Sequence, residues 1–344
     1  MKNYSQNIRI KINRLFITLC FIIGLLSLSG CHDEPDFSNT PSGNLKALSH
    51  IIATRYCFLE EKGVDWDRIT EEHLKLLSPN TTDRELFKIC ADMLATLKDG
   101  HVNLSSRFNT SYYRKWWTDY PQNFNLRTLE ENYLNFEWNT TSGMYYKILN
   151  DDFGYIYYPS FSYSISETSL NYIFAHFYKC KALIIDIRDN GGGQLTNVNT
   201  LVGRFINQPF VGGYLSHKTG PGISDFSEPY PVTYKPSPEG AILWERPVYI
   251  LTNRSCFSAA NNFVAVMKDL PQVTIVGGRT GGGGGMPFSS ELPNGWSVRF
   301  SACPMTDANG NSIENGIDPD IIRGGSEEEY ASGNDPILDY VLSL

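Results

Sequence analysis

The sequence predicts an α/β protein whose core follows a small helical N-terminal subdomain. Three observations carry this reading. "ALIIDIR" and "PVYILTN" are continuous apolar runs, as expected of strands covered on both faces; segments of helical period alternate with them; and each run ends in a turn of small residues.

With 344 residues the chain is long enough for one large core and an accessory domain, and its 41% hydrophobic content is that of a globular protein. At the N-terminus Lys2, Arg9, Lys11 and Arg14 precede an uncharged, largely apolar run from Leu15 to Leu28. That run is shorter than the ~20 residues that span a bilayer, so residues 1–30 read as an export signal. "LSGC" at its end resembles a lipoprotein signal box. The resemblance implies that Cys31 is lipidated and anchors the protein to a membrane, in the envelope of a Gram-negative-type bacterium and at its outer membrane. Residues 31–44, "CHDEPDFSNTPSGN", then read as an acidic flexible tether. Loss of residues 1–30 removes four positive charges and no acids, taking the formal charge from −8 to −12, which excludes a nucleic-acid partner. Cys57, Cys90, Cys180, Cys256 and Cys303 show no CxxC or zinc spacing and read as buried free thiols.

Residues 45–100 form the helical subdomain. "LKALSHIIATRYCFLE" and "DRELFKICADMLATLKDG" both place apolar residues at i, i+3, i+4 and i+7, and "SPNTTD" and "KDG" supply start and stop signals. Residues 101–145 are an aromatic-rich connecting segment in which Trp116 and Trp117 either pack or wall a substrate groove. From 146 to 344 the order is that of an α/β core: strand "FGYIYY", helix "SETSLNYIFAHFYKC", strand "ALIIDIR", strand "PVYILTN", helix Ser258 to Lys268, strand "VTIVGG".

The turns after two of these strands have chemical potential. "DIRDNGGG" sets Gly191 and Gly192 where backbone amides approach a ligand closely, and "LTNRSCFS" sets Ser258 at a helix start. Together they have the makings of an oxyanion hole. Serine is also a favoured N-cap, and Ser255 competes for either role. Ala259 and Ala260 leave room beside Ser258.

"LKDGHV", "LIIDIRDNGGG", "LTNRSCFSAANNF" and "IENGIDPDI" stand in the order seen in the C-terminal processing peptidase and tricorn-core family of serine peptidases, which the chain resembles from about Leu45 to Ile322. The resemblance implies a crotonase-like (ClpP/crotonase-type) ββα core and an endopeptidase acting through an acyl-enzyme on Ser258. In the processing-peptidase branch the base is a lysine in the turn that here reads "GGRTGGGGGMPF", where the aligned position is near Gly283 and no lysine is present. Arg279 cannot replace it, because guanidinium keeps its proton. The tricorn-like branch uses an upstream histidine, which maps to His101, and a glutamate that orients it, which maps to Glu314. A histidine with a pKa near 6.5 accepts a proton at neutral pH. His176 and His217 are minor rivals; Asp318 and Asp320 read as turn and capping residues.

Two departures accompany the resemblance. The serine that precedes the histidine in tricorn-like enzymes is Gly100 here, so Glu314 must reach His101 directly, through water, or not at all. A PDZ domain, which many processing peptidases carry, does not fit in the ~45 residues available. Peptide is then expected to be held by residues 112–124, with Trp116 and Trp117, and by backbone pairing with the glycine run 281–285, chiefly Gly282 and Gly283. Amides of Ala259, Gly191 and Gly192 are expected to hold the oxyanion. No metal, nucleotide or other cofactor is implied, since "TGGGGG" lacks the ending of a phosphate loop. The rival reading is a binding lipoprotein on the same scaffold that holds a peptide or apolar ligand without cleaving it. The missing lysine and Gly100 favour it; the joint presence of Ser258, His101 and Glu314 opposes it.

Overall fold

The computed structural model describes residues 35–344; the expected export signal, Cys31 and the first residues of the expected tether lie outside the described residues. Helix α1 (Pro41–Arg55) starts earlier than the sequence predicts, because Thr40 accepts a bond from Gly43 N and Pro41 suits the first helical position. Residues 41–44 are therefore helical and not tether, and Asn44 is buried. Helix α2 (Trp66–Leu74), absent from the sequence reading, is mostly polar and buries only Trp66 and Ile69. Helix α3 (Asp83–Ala95) opens on a capping box between Thr82 and Glu85 and buries Leu86, Phe87, Cys90, Met93 and Leu94.

These helices are not a separate body. Residues Asn39–Leu344 make one compact unit, in which Cys57 N donates to Ser301 O at 3.0 Å and the Phe87 and Trp296 rings meet edge to face at 5.5 Å. The connecting segment carries β1 (Asn103–Ser105), a single turn at Lys115–Thr118, and β2 (Asn139–Thr141). The boundary expected at residue 145 falls inside β3 (Met144–Leu149).

The central sheet has seven strands. After β4 (Phe153–Tyr157) come α4 (Glu167–His176), β5 (Ala182–Asp186), α5 (Leu195–Val202), β6 (Phe210–Leu215), β7 (Tyr230–Tyr234) and β8 (Val248–Thr252). They are followed by α6 (Ala259–Met267), β9 (Val273–Gly277), β10 (Gly285–Glu291), β11 (Ser297–Thr306), β12 (Ile321–Ile322) and, near the C-terminus, α7 (Pro336–Leu342). The sheet order is β12-β9-β8-β5-β4-β3-β2, parallel from β12 to β4 and antiparallel from β4 to β2. Leu183, Ile185, Ile250 and Ile275 pack with α4, α5 and α6 on one face, while Ile184, Leu251 and Val276 meet α7 and Leu129 on the other. Burial on both faces is why these strands are apolar throughout.

A second, antiparallel sheet runs β1-β11-β6-β7, with β10 also paired to β11. It matters because β1 leaves the histidine turn and β11 passes beside it. The five thiols are free, four of them buried and Cys303 half-buried. Among the described residues no helix is long and apolar enough to cross a membrane, and no cluster of His, Cys, Asp and Glu is arranged to hold a metal ion.

Candidate active site

Parallel strands β5 and β8 lie side by side, so the turns that leave them are neighbours. The first turn is fixed by Arg188, which is fully buried and bonds Asp186 at 2.6 Å and Asp335 at 2.7 Å. Asn190 then ties it to the second: its side chain donates to Tyr158 O at 2.8 Å, and its carbonyl accepts from Phe257 N at 3.0 Å. Asn253 closes the gap by exchanging two bonds with Asp189.

Ser258 sits at the entry to α6 with φ 58° and ψ −120°, a conformation that favours glycine. Holding a serine there costs on the order of 1–3 kcal/mol. The hydroxyl does not cap the helix; instead Oγ lies 2.9 Å from His101 Nε2. The capping role open to this serine from sequence is thus not the one it takes. The backbone is clamped from outside, with Ser258 N donating to Gly282 O at 2.8 Å.

His101 is buried, its ring 4.8 Å from that of Phe257, which in turn stacks on Trp116 at 4.2 Å. Its backbone N–H donates to Asp99 Oδ1 at 2.7 Å. Burial, reinforced by the Arg299 and Lys62 charges and opposed by Asp99, pushes the imidazole down to about 4, so it is neutral at pH 7 and able to accept a proton. His176 and His217 lie against Tyr146 and Tyr230, and Ser255 is not among the cleft residues.

Glu314 does not orient the histidine by a hydrogen bond. Its Oε1 accepts from Lys62 Nζ at 2.7 Å and its Oε2 from Gly284 N at 2.9 Å, whereas His101 Nδ1 is buried and bonded to no described residue. The same ammonium stands 3.6 Å from Asp99, which also accepts from Tyr56 and Ser301, each at 2.9 Å. Two buried carboxyl groups therefore share one cation. Burial opposes ionisation of Asp99, but Lys62, His101 and the hydrogen bonds prevail and hold it below the usual range. At Glu314 burial and the Asp99 charge prevail over Lys62, and its pKa is pushed up to about 8.

At Gly100, where a serine was the family expectation, a Cβ would lie 2.7 Å from Trp116 Nε1 and 2.8 Å from Phe257 Cζ, so a side chain there would displace one of these rings. Neither is the glycine run a peptide edge. Gly282 and Gly283 are buried; besides accepting from Ser258 N, the run donates from Gly283 N to Glu314 O at 3.0 Å and from Gly281 N to Cys256 O at 2.7 Å. It braces the serine from behind. Of the three amides expected to face an oxyanion, Gly192 N is taken by Asn190 Oδ1 at 2.9 Å. Ala259 N opens the first turn of α6, where an amide has no intrahelical acceptor, and Gly191 lines the cleft. Gly192 serves by its size, since a Cβ would sit 2.8 Å from both Ala259 N and Ser258 Cβ.

The cleft above Ser258 has a volume of about 780 Å³ and is walled by His101, Tyr112, Tyr113, Trp116 and Trp117, among others. Lys62, Asp99, Asn190 and Arg299 went unnoticed in the sequence. Asp99 had a signal, lying inside "KDGHV"; Lys62, in "EEKGVD", had none.

Residues 152–323 match the profile of peptidase family S41, and residues 37–95 that of the tricorn protease C1 domain. A crystallised candidate peptidase from Parabacteroides merdae superposes with a TM-score of 0.85 and 45% identity, covering 89% of this chain and 96% of that one. The tricorn protease of Thermoplasma acidophilum is 26% identical over 193 residues, 55% of this chain and 16% of its own. Mature CPAF shares the fold, with a TM-score of 0.68 at 14% identity, over 88% of this chain and 95% of that one. The chain spans less than a third of the length of the curated relatives it matches.

Proposed function

Because this chain belongs to peptidase family S41, as the match over residues 152–323 establishes, we propose that it is a serine-type endopeptidase with Ser258 as nucleophile and His101 as general base. The observation that carries this is the 2.9 Å contact between Ser258 Oγ and His101 Nε2, made by a serine held in a costly backbone conformation and not capping its helix. His101 Nε2 takes the hydroxyl proton as Oγ adds to a peptide carbonyl. The Ala259 and Gly191 amides receive the oxyanion, aided by the positive end of α6. The imidazolium gives its proton to the leaving amine, and water releases the acyl group by the same steps in reverse.

In this reading Glu314 acts at one remove. It anchors Lys62, which neutralises Asp99, and Asp99 holds the histidine turn through the His101 amide. The α/β core is read as crotonase-like, and Cys31 as a lipidated anchor in the cell envelope, at the outer membrane; "LSGC" at the end of the apolar run supports the anchor. Radiolabelled fatty acid should enter the wild-type chain and not Cys31→Ala.

The peptidase reading is tested with a chain starting at about Asp36, wild type and Ser258→Ala, in a diverse peptide mixture followed by mass spectrometry. Cleavage by the wild type alone is expected. Equal cleavage by both removes Ser258 as nucleophile, and no cleavage by a folded wild type moves the non-cleaving binding protein ahead.

A further inference from the structure

The charge of the cleft is opposite to that of the chain. The protein has a formal charge of −8, yet the cleft lining includes Arg114 and Arg299 and not one carboxylate. Arg299 lies in β11 directly opposite Asn103 of β1, two residues beyond His101. Paired residues of antiparallel strands present their side chains on one face about 5 Å apart, and both residues line the cleft. Val298 and Phe300, on either side, are buried, so the alternation turns Arg299 outward into the cleft.

Neither guanidinium has an ion-pair partner among the described residues. The carboxylate that acts on Arg299 is Asp99, and that group is already engaged by Tyr56, Ser301, the His101 amide and Lys62. The Arg114 guanidinium lies 5.8 Å from the centre of the Tyr112 ring, and both arginines are exposed to solvent. A partly desolvated arginine without a partner is a ready receptor for a carboxylate, which it binds through two parallel N–H···O bonds.

We propose that the cleft selects peptides with an acidic side chain, aspartate or glutamate, beside the cleaved bond, and that Arg299 binds its carboxylate, with Arg114 as an outer cation. This rests on the peptidase reading for the word "cleaved" but not for the binding. The aromatic walls hold the flanking apolar residues, so the expected substrate is a mixed acidic and aromatic or aliphatic segment. A carboxylate at the C-terminus of a peptide has the same chemistry, and the test separates the two sources.

The test uses a positional library of C-terminally amidated peptides with Glu or Gln at one site, and a free-acid form of each Gln peptide. Cleavage is followed in the wild type, Arg299→Gln and Arg299→Lys. Binding to Ser258→Ala is followed by tryptophan fluorescence, since Trp116 and Trp117 line the cleft. In both readouts the best Glu peptide is expected to exceed its Gln twin by about tenfold or more, a ratio that shrinks with added salt. Within Arg299→Gln the ratio should collapse toward one, and within Arg299→Lys part of it should return. Equal treatment of Glu and Gln by a cleaving wild type, or by Ser258→Ala in binding, overturns the inference and leaves the peptidase reading intact. A response to the free acid alone overturns it in favour of the chain terminus. Glu-selective binding without cleavage by a folded wild type keeps the Arg299 site and overturns the peptidase reading instead.

Discussion

Lys62 Nζ lies 2.7 Å from Glu314 Oε1, joining residues 252 positions apart in a buried hydrogen bond. With both side chains nearly out of water, at 14% and 5% exposure, removal of the cation leaves Asp99 and Glu314 as unpaired buried acids. Lys62→Met is therefore expected to destabilise the fold by about 3–5 kcal/mol. Glu314→Gln, which leaves Asp99 to hold the ammonium, should cost less. Urea unfolding of the three proteins checks the order, and equal losses would refute the shared-cation arrangement.

Strain at the nucleophile makes a second expectation. Ser258 has φ 58°, where glycine is at ease and alanine is not. Ser258→Gly should be more stable than Ser258→Ala by about 1 kcal/mol, while both lose at least about 10⁴-fold in kcat/KM. Paired denaturation curves decide it; an alanine variant as stable as the glycine one would mean that the turn carries no strain.

The buried histidine gives the fold a dependence on pH. Its pKa is about 4 when folded, against ~6.5 when unfolded, so between these values only the unfolded chain binds the proton. Stability accordingly rises with pH across that window and is lost as the pH falls from ~6.5 toward 4, by on the order of 3 kcal/mol. Cleavage should hold its plateau down to about pH 5, since the base stays neutral there. The difference in unfolding free energy between wild type and His101→Asn, followed against pH, should carry this slope; a flat difference would contradict it.

At Gly192 a methyl group would meet Ala259 N and Ser258 Cβ at 2.8 Å and Phe257 O at 2.6 Å, with φ at +96°. Gly192→Ala should lower kcat by about 10²–10³-fold through the oxyanion site. A Gly191→Ala change meets nothing within 4 Å and is expected to be far milder. Parallel rate measurements on the two would separate close approach from mere flexibility; comparable losses would rule out the packing argument.

What was legible in the sequence follows from what each signal depends on. The parallel strands and α6 were readable because two-sided burial leaves a continuous apolar run, and α3 because its capping box is local. Helix α2 was not, since it is only nine residues long and buries only Trp66 and Ile69. In the site, Ser258 and His101 are brought together at hydrogen-bond distance, but the partners of Glu314 were hidden. Lys62 meets it across 252 positions and in turn reaches Asp99, and no spacing rule encodes those contacts. The glycine run misled for a related reason. From sequence, glycines free the backbone to meet a ligand; here they free it to meet Glu314 and Ser258.

The 157 positions that separate His101 from Ser258 also set an order in time. A chain emerging from its N-terminus presents the base long before the nucleophile, and Glu314, which secures Lys62, emerges later still. No stretch of chain short of that point holds the full constellation. The meeting of base and nucleophile thus belongs to the nearly finished chain and to no early stretch of it.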